Sequence, residues 1–212
     1  MTRHEFFAAI FPNPAEGYVD LRAFGAYTAT TFVPVGDWAA LDAFVAQHPD
    51  LDHYFGVAVR VERNGEVKGT KPHCSVTHAV WADLDWKLYL PEPLRGSMSQ
   101  RTTSLELKQE IVASPAWQAA RFEAVVQAFG RPDRIPNIVV ESGGGFHAYW
   151  LSHEEPIPAD GNLESLNRRI AAALGSDPAV ANWDRILRVP DTFNFKPEYH
   201  SPQPVRVFHV AR

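Results

Sequence analysis

Val76-Thr77-His78-Ala79-Val80-Trp81-Ala82 runs directly into Asp83-Leu84-Asp85. The run is rich in β-branched and aromatic residues and reads as a buried strand. A buried strand that ends in two carboxylates is costly unless something cationic neutralises them. Side chains alternate along a strand, so Asp83 and Asp85 share a face, roughly 6–7 Å apart at the backbone. Carboxylates at that spacing suit one divalent ion, or two ions about 3.5–4 Å apart. A strand-end turn with two solvated aspartates is the plainer reading, and this segment alone does not separate the two.

Outward from it, Asn137-Ile138-Val139-Val140-Glu141-Ser142-Gly143-Gly144-Gly145-Phe146-His147-Ala148-Tyr149-Trp150-Leu151 reads as strand, three glycines, strand. Glycines let backbone N–H groups approach a ligand closely and tolerate positive φ. Consecutive amides of this kind cradle an anion such as phosphate. A plain hairpin turn is the default for such a run. His147 follows at once, where an imidazole can hydrogen-bond a triphosphate from the rim of the loop.

Further on, Asp184-Arg185-Ile186-Leu187-Arg188-Val189-Pro190-Asp191-Thr192-Phe193-Asn194-Phe195-Lys196 places two arginines around a short apolar strand, with Asn194 and Lys196 beyond a turn. Guanidinium and ammonium groups close together suit a polyphosphate, because arginine binds its oxygens bidentately. An ordinary solvated strand, with salt bridges to Asp184 and Asp177, accounts for the same residues.

Taken in order, the segments resemble the archaeo-eukaryotic primase superfamily, specifically the primase-polymerases of plasmids, phages and related mobile elements. That family pattern is an Asp-x-Asp/Glu after a hydrophobic strand, a Ser-Gly-x-Gly-x-His run, and a later Asp followed by an Arg-x-x-Arg-x-Pro-Gly-Thr-x-Asn-x-Lys-like stretch. Here the pieces are Asp83-Leu84-Asp85, Ser142 to His147, and Asp177 leading to Arg185 through Lys196. The resemblance implies that Asp83, Asp85 and Asp177 hold two Mg²⁺ or Mn²⁺ ions. It implies that His147 and Ser142, Gly143, Gly144 and Gly145 bind the nucleotide phosphates, with Arg185, Arg188 and Lys196 completing the site. Asp191 stands where the family has glycine, so its turn is expected to differ in backbone conformation or to add negative charge. Asp184 competes with Asp177 as third carboxylate; Asp177 is preferred because its distance from Arg185 fits the family spacing.

The implied fold is α+β (mixed α/β): an N-terminal α/β module packed on a module like an RNA-recognition motif, with the active site in the cleft. Residues 1–212 are expected to form a single catalytic domain, the N-terminal part of a larger replication protein. The implied activity is template-directed nucleotidyl transfer that synthesises and extends primers. Single-stranded DNA and nucleoside triphosphates are the implied partners, with a fused or separate helicase. The alternatives are a repair-type polymerase that cannot start chains, and a non-catalytic nucleotide or nucleic-acid-binding module.

Composition bounds these readings. At 212 residues, 45% hydrophobic and 21% charged, the chain has the makings of one substantial core or two packed modules. A net charge of −5 argues against a protein that simply coats nucleic acid. Weak template affinity without a helper domain is expected, with Arg60, Arg63, Lys68 and Lys71 as candidate template contacts. One cysteine, Cys74, excludes an intramolecular disulfide and fits a reducing cytoplasm, bacterial or phage-infected. His73, Cys74 and His78 offer soft metal ligands, but no fourth is evident, so zinc is not expected. The N-terminus lacks a signal-peptide core, and no apolar stretch reaches the ~20 residues of a membrane span.

Periodicity and breakers predict a helix over 4–10, strands over Val19–Phe24 and Thr28–Val35, and a helix capped by Asp37 through Gln47. A strand over Tyr54–Arg63 leads to an Asn64-Gly65 hairpin turn. Residues 86–102 read as a long loop. Helices are predicted from Ser104 with Thr103 as cap, from Pro115 to Gly130 carrying Trp117, Phe122, Val125, Val126 and Phe129, and over Leu163–Leu174. Val205–Val210 reads as the last strand.

Overall fold

The computed structural model describes residues 1–13, 17–61, 70–130, 135–152 and 155–211. Helix α1 (Arg3–Ile10) starts at a capping box, in which the Thr2 hydroxyl accepts from the Glu5 N–H and the Glu5 carboxylate accepts from the Thr2 N–H. Strands β1 (Tyr18–Phe24) and β2 (Thr28–Pro34) form a hairpin. Helix α2 (Trp38–Gln47) follows with Asp37 as its N-cap, and β3 (Asp52–Gly56) pairs with β1. The middle of the chain holds β4 (Val76–Thr77), β5 (Ala79–Asp85), α3 (Leu94–Ser99), α4 (Leu105–Ala113) and α5 (Pro115–Phe129). Then come β6 (Ile138–Glu141), β7 (Gly145–Leu151), β8 (Ile157–Pro158), α6 (Gly161–Leu174), β9 (Ile186–Arg188), β10 (Thr192–Asn194) and β11 (Gln203–Val210).

These strands make a four-stranded sheet of order β2-β1-β3-β9, a five-stranded sheet of order β10-β11-β6-β7-β5, and the short pair β4-β8. Every pairing is antiparallel, so the architecture is the mixed α+β one expected. One core lies between the two large sheets. Phe6 of α1 meets Phe55 of β3 at 5.6 Å and Tyr149 of β7 at 5.5 Å, ring centre to ring centre, so a single helix ties both sheets together. A second core packs α4 and α5 on the far face of the five-stranded sheet, through Ile111, Trp117, Ala120 and Ala124.

Strand alternation along β5 assigns its residues to these two cores. Ala79 and Trp81 enter the core between the sheets, while Ala82 and Leu84 enter the one under the helices. Asp83 and Asp85 continue the row of Ala79 and Trp81, and emerge where the apolar core ends. The Trp81 indole N–H donates to the Val180 carbonyl at 2.8 Å, and its backbone N–H donates to Asn167 Oδ1 of α6 at 3.2 Å. Those bonds hold the segment after α6, which carries Asp177, against β5.

Several local expectations need correction. The strand from Tyr54 stops at Gly56; beyond it Val59 exchanges backbone hydrogen bonds with Val76 and Ser75, and Arg60 forms isolated bridges to Tyr18 and Cys74. The Asn64-Gly65 turn lies outside the described residues, as do Arg63 and Lys68. Residues 86–102 are not simply loop: a 3₁₀ turn at Trp86–Tyr89 and α3 form despite Pro91, Pro93 and Gly96. Pro93 precedes the first turn of α3, where a missing N–H costs nothing. Ser104, rather than Thr103, caps α4, its hydroxyl accepting from the Leu107 N–H. Helix α5 buries Trp117, Ala120, Ala124 and Ala128, leaving Phe122 69% exposed. Its small residues face inward because the helix lies close on the sheet, with Val125 and Phe129 packed at the edge of that core.

His53 is buried beneath α2, and burial together with the charges of His48 and Arg3 pushes its imidazole down to about 4. Its folded pKa thus lies below the ordinary value of about 6.5, so folding favours the neutral ring. The stability this gives is complete above about pH 6.5 and is lost as pH falls toward 4. Urea unfolding at pH 7 and pH 5 is expected to show that loss, and His53→Leu to reduce it.

Candidate active site

A pocket of about 200 Å³ opens between the sheets and is lined by both the acidic and the basic candidates. Register puts Asp83 opposite His147 and Asp85 opposite Gly145 on the β5–β7 pair. The Asp177 N–H donates to the Asp83 carbonyl at 3.3 Å, so the third carboxylate joins the pocket from the other side. Asp184 does not line it: its carboxylate accepts from Asn182 Nδ2 at 2.5 Å and sits near Cys74. Of the two aspartates proposed for the third position, the pocket therefore contains Asp177.

The glycine loop is built with no spare volume. Gly143 has φ +80°, and a Cβ there would lie 2.9 Å from the Asn194 Cβ and 2.8 Å from that of Gln203. A Cβ on Gly144 would strike the Tyr199 hydroxyl, and one on Gly145 would lie 2.8 Å from the Leu84 carbonyl oxygen. Asn194 Nδ2 donates to the Ser142 carbonyl at 3.1 Å, and the Trp86 N–H to the Gly144 carbonyl at 3.0 Å, fixing both ends of the turn. Gly145→Ala is expected to push β7 away from β5 beside Asp85 and cost about 1–3 kcal/mol. Chemical denaturation measures this directly.

Charges in the pocket are strongly unbalanced locally. Burial, and then the neighbouring charge of Asp85, raise the Asp83 carboxyl to about 7. Asp85 is balanced by Lys87, whose Nζ lies 2.7 Å from Oδ2. His147 is 5% exposed, and burial with the cations of Arg188, Arg185 and Lys196 pushes its imidazole down to about 3, so the ring is neutral. Its Nε2 stands 3.9 Å from Asp83 Oδ1, and its Nδ1 is buried without a hydrogen-bond partner among the described residues. The buried Nε of Arg185 is likewise unpartnered. Both Nη atoms of Arg188, by contrast, are committed to Asp52 at 2.8 and 3.2 Å, with a further bond to Asn194 Oδ1 at 2.8 Å, and the guanidinium lies 4.8 Å from the Tyr54 ring centre.

Among the described residues no three His, Cys, Asp or Glu side chains close into a ready cage for an ion. Asp83, Asp85 and Asp177 nevertheless share one pocket, and their donor set is all carboxylate oxygen. Such oxygens fit a hard divalent cation, and the raised Asp83 carboxyl marks negative charge that such a cation would relieve.

Sequence reasoning missed two pocket residues, Lys87 and Tyr54. Lys87 follows Asp85 at a spacing that could have signalled a charge partner; Tyr54 is brought in by β3 from far along the chain. Arg60 is not a surface contact, being fully buried and paired with Asp20 and Cys74. Lys71 pairs with Glu164 at 2.7 Å and lies over Trp183. Asp191 keeps a left-handed φ of 57°, as an aspartate can, and its carboxylate accepts from the Arg3 N–H at 3.0 Å.

Comparison with known proteins fits this geometry. The family model of the RepB DNA-primase N-terminal domain matches residues 118–211, which carry the glycine loop, His147, Asp177 and the Arg185–Lys196 stretch. The primase-polymerase domain of cyanophage S-2L superposes with a TM-score of 0.55 at 15% identity, covering 99% of this chain and 89% of that one. This chain therefore shares the fold of that primase-polymerase domain. Primase RepB′ gives a TM-score of 0.52 at 16% identity, over 99% of this chain and 57% of that one. The RepB′ catalytic domain in complex with initiator DNA gives 0.51 at 16% identity, over 98% and 81%. An uncharacterised protein of Methanocaldococcus jannaschii is 26% identical over 151 residues, 71% of this chain but a tenth of that relative's length. These superpositions, at 15–16% identity, show a shared fold. No helix among the described residues is long and apolar enough to cross a membrane.

Proposed function

We propose that residues 1–212 form one primase-polymerase catalytic domain that makes and extends primers on single-stranded DNA by two-metal nucleotidyl transfer. The observation that carries this reading is the pocket in which Asp83, Asp85 and Asp177 face Arg185, Lys196 and the glycine loop. Acid on one wall and base on the other match a nucleoside triphosphate accompanied by divalent ions. The RepB′ catalytic domain was solved with initiator DNA, which favours DNA as the template here.

Mg²⁺ or Mn²⁺ held by Asp83, Asp85 and Asp177 would lower the pKa of the attacking 3′-hydroxyl and stabilise the leaving pyrophosphate. The protein's own groups do the positioning. Arg185 and Lys196 hold the triphosphate, and Arg185 brings a buried, unpartnered Nε to it. His147 offers a neutral ring N–H to a phosphate oxygen, adding a donor without adding charge. Arg188 acts through Asn194, which clamps the Ser142 carbonyl and so keeps the loop amides in place. Lys87 balances Asp85 until an ion takes that position. A replicative helicase, fused or separate, would supply the unwound template.

Incubation with unprimed single-stranded DNA, nucleoside triphosphates and Mg²⁺ or Mn²⁺ tests the reading. Short labelled products are expected. Extension of an annealed primer without products on unprimed DNA would make this a polymerase that cannot start chains. Absence of incorporation in both assays would replace the proposal with a nucleotide or nucleic-acid-binding module.

A further inference from the structure

The glycine loop has a second cleft behind it, on the opposite face of the five-stranded sheet from Asp83 and Asp85. This cleft measures about 450 Å³, more than the 200 Å³ of the carboxylate pocket, and its walls include Trp86, Trp117, Arg121, Tyr199, Gln203 and Arg206. Register explains its chemistry. Arg206 lies opposite Glu141, and Glu141 opposite Phe146, on the face covered by α5. The Glu141 carboxylate accepts from Arg121 at 2.9 and 3.2 Å and from Arg206 at 2.9 and 3.0 Å.

Two guanidinium groups thus share one carboxylate, leaving a net positive charge in a chain whose overall charge is −5. Glu141 is buried, whereas the Arg206 side chain is 59% exposed and that of Arg121 35%, so their remaining N–H groups look outward. Arg121 lies 5.5 Å from the Trp86 ring centre, and Trp86 packs on Trp117 at 5.8 Å. The Trp86 indole N–H is buried without a hydrogen-bond partner among the described residues. Gln118 adds an amide able to pair with a base edge, whereas Gln203 Nε2 donates to the Ser201 carbonyl at 2.8 Å and leaves its oxygen to accept. On the same face of β11, Phe208 is 41% exposed, and Phe193 of β10, opposite Pro204, is 48% exposed.

We propose that this cleft binds a nucleotide unit of single-stranded DNA, its base on the aromatic floor and its phosphate on Arg121 and Arg206. Aromatic surface beside outward-facing arginine is the combination that holds single strands without reading their sequence. The exposed Phe193 and Phe208 continue the surface to neighbouring bases. An apolar peptide would leave the outward arginine N–H groups and the Gln118 amide without partners. Gly143 lines the cleft and the Tyr199 hydroxyl abuts Gly144, so a strand held here rests against the back of the loop that faces the carboxylates. The choice of DNA rests on the proposed function. Binding, however, requires neither turnover nor a divalent ion, so the two readings fail separately.

Fluorescence anisotropy of a short labelled oligodeoxythymidine, in EDTA and without nucleoside triphosphate, tests the proposal. Arg206→Glu is expected to weaken binding by about tenfold or more, with the loss shrinking as salt rises. Because that variant also sits beside Glu141, the exposed Ser201 at the cleft's rim provides a second pair. Ser201→Glu should weaken binding and Ser201→Arg should tighten it, with unchanged melting temperatures. Equal affinity across wild type and all three variants overturns the proposal. Displacement of a fluorescent dTMP by free dTMP, with no affinity for the oligonucleotide, also overturns it and makes the cleft a free-nucleotide site.

Discussion

Asp83→Ala/Asp85→Ala is expected to abolish primer synthesis and primer extension alike, a loss of at least about a thousandfold against wild type. The two carboxylates sit side by side on one face of β5, at the point where that face leaves the core. Removing both takes away two of the three carboxylates that line the pocket. The single variant Asp83→Asn separates this effect from unfolding. Burial and Asp85 already raise the Asp83 carboxyl to about 7, which means its charged form is unwelcome in the ion-free protein. A neutral amide of the same shape should therefore melt higher than wild type in EDTA while binding Mn²⁺ more weakly, measured by calorimetry. Normal synthesis by the double variant would remove these aspartates from the mechanism. A lower melting temperature for Asp83→Asn would show that its charge is compensated by something other than an added ion.

Arg188→Ala is expected to lower stability by about 3–5 kcal/mol, because it strips the partner from a nearly buried carboxylate. The Arg188 and Asp52 side chains are 5% and 15% exposed, and the pair is bidentate. Asp52 also accepts from the Phe195 N–H at 2.7 Å, so the loss would spread from β3 to the turn that carries Lys196. Arg185→Ala should behave differently. Its guanidinium lines the same pocket without such a pair among the described residues, so the melting temperature should hold while nucleotide affinity drops about 10- to 100-fold. Urea titration and nucleotide binding on the two variants distinguish an arginine that builds the site from one that serves the ligand. Identical behaviour in both measurements would remove that distinction.

The contrast between these arginines shows where motif reading stops. Arg185 and Arg188 look equivalent in the sequence, two guanidinium groups around Ile186-Leu187. Their difference comes from β3, which pairs with β9 and delivers Asp52 and Tyr54 to one of them. Lys87 and Tyr54 escaped notice for the same reason: their role depends on which strands become neighbours. Helix α5 shows a related limit. Its large apolar residues do not by themselves name the buried face; close packing on the sheet selects Trp117 and three alanines, leaving Phe122 in solvent.

The sequence by itself determined the three chemical segments, their order, and the acidic and basic residue types from which the proposed triphosphate and ion site is built. It also determined most element positions, because alternation, caps and glycine stops are local: Asp37 before α2, Pro115 at the start of α5, Gly175 at φ 64° after α6. Only the tertiary structure decided that Asp177 rather than Asp184 enters the pocket, since bonds from Trp81 to Asn167 and Val180 hold that segment on β5. Only it decided that Arg60 is buried against Asp20, and that the glycine loop has a second cleft behind it. Those outcomes depend on contacts between residues distant in the chain, whose energies exist only once the two sheets and their helices have packed.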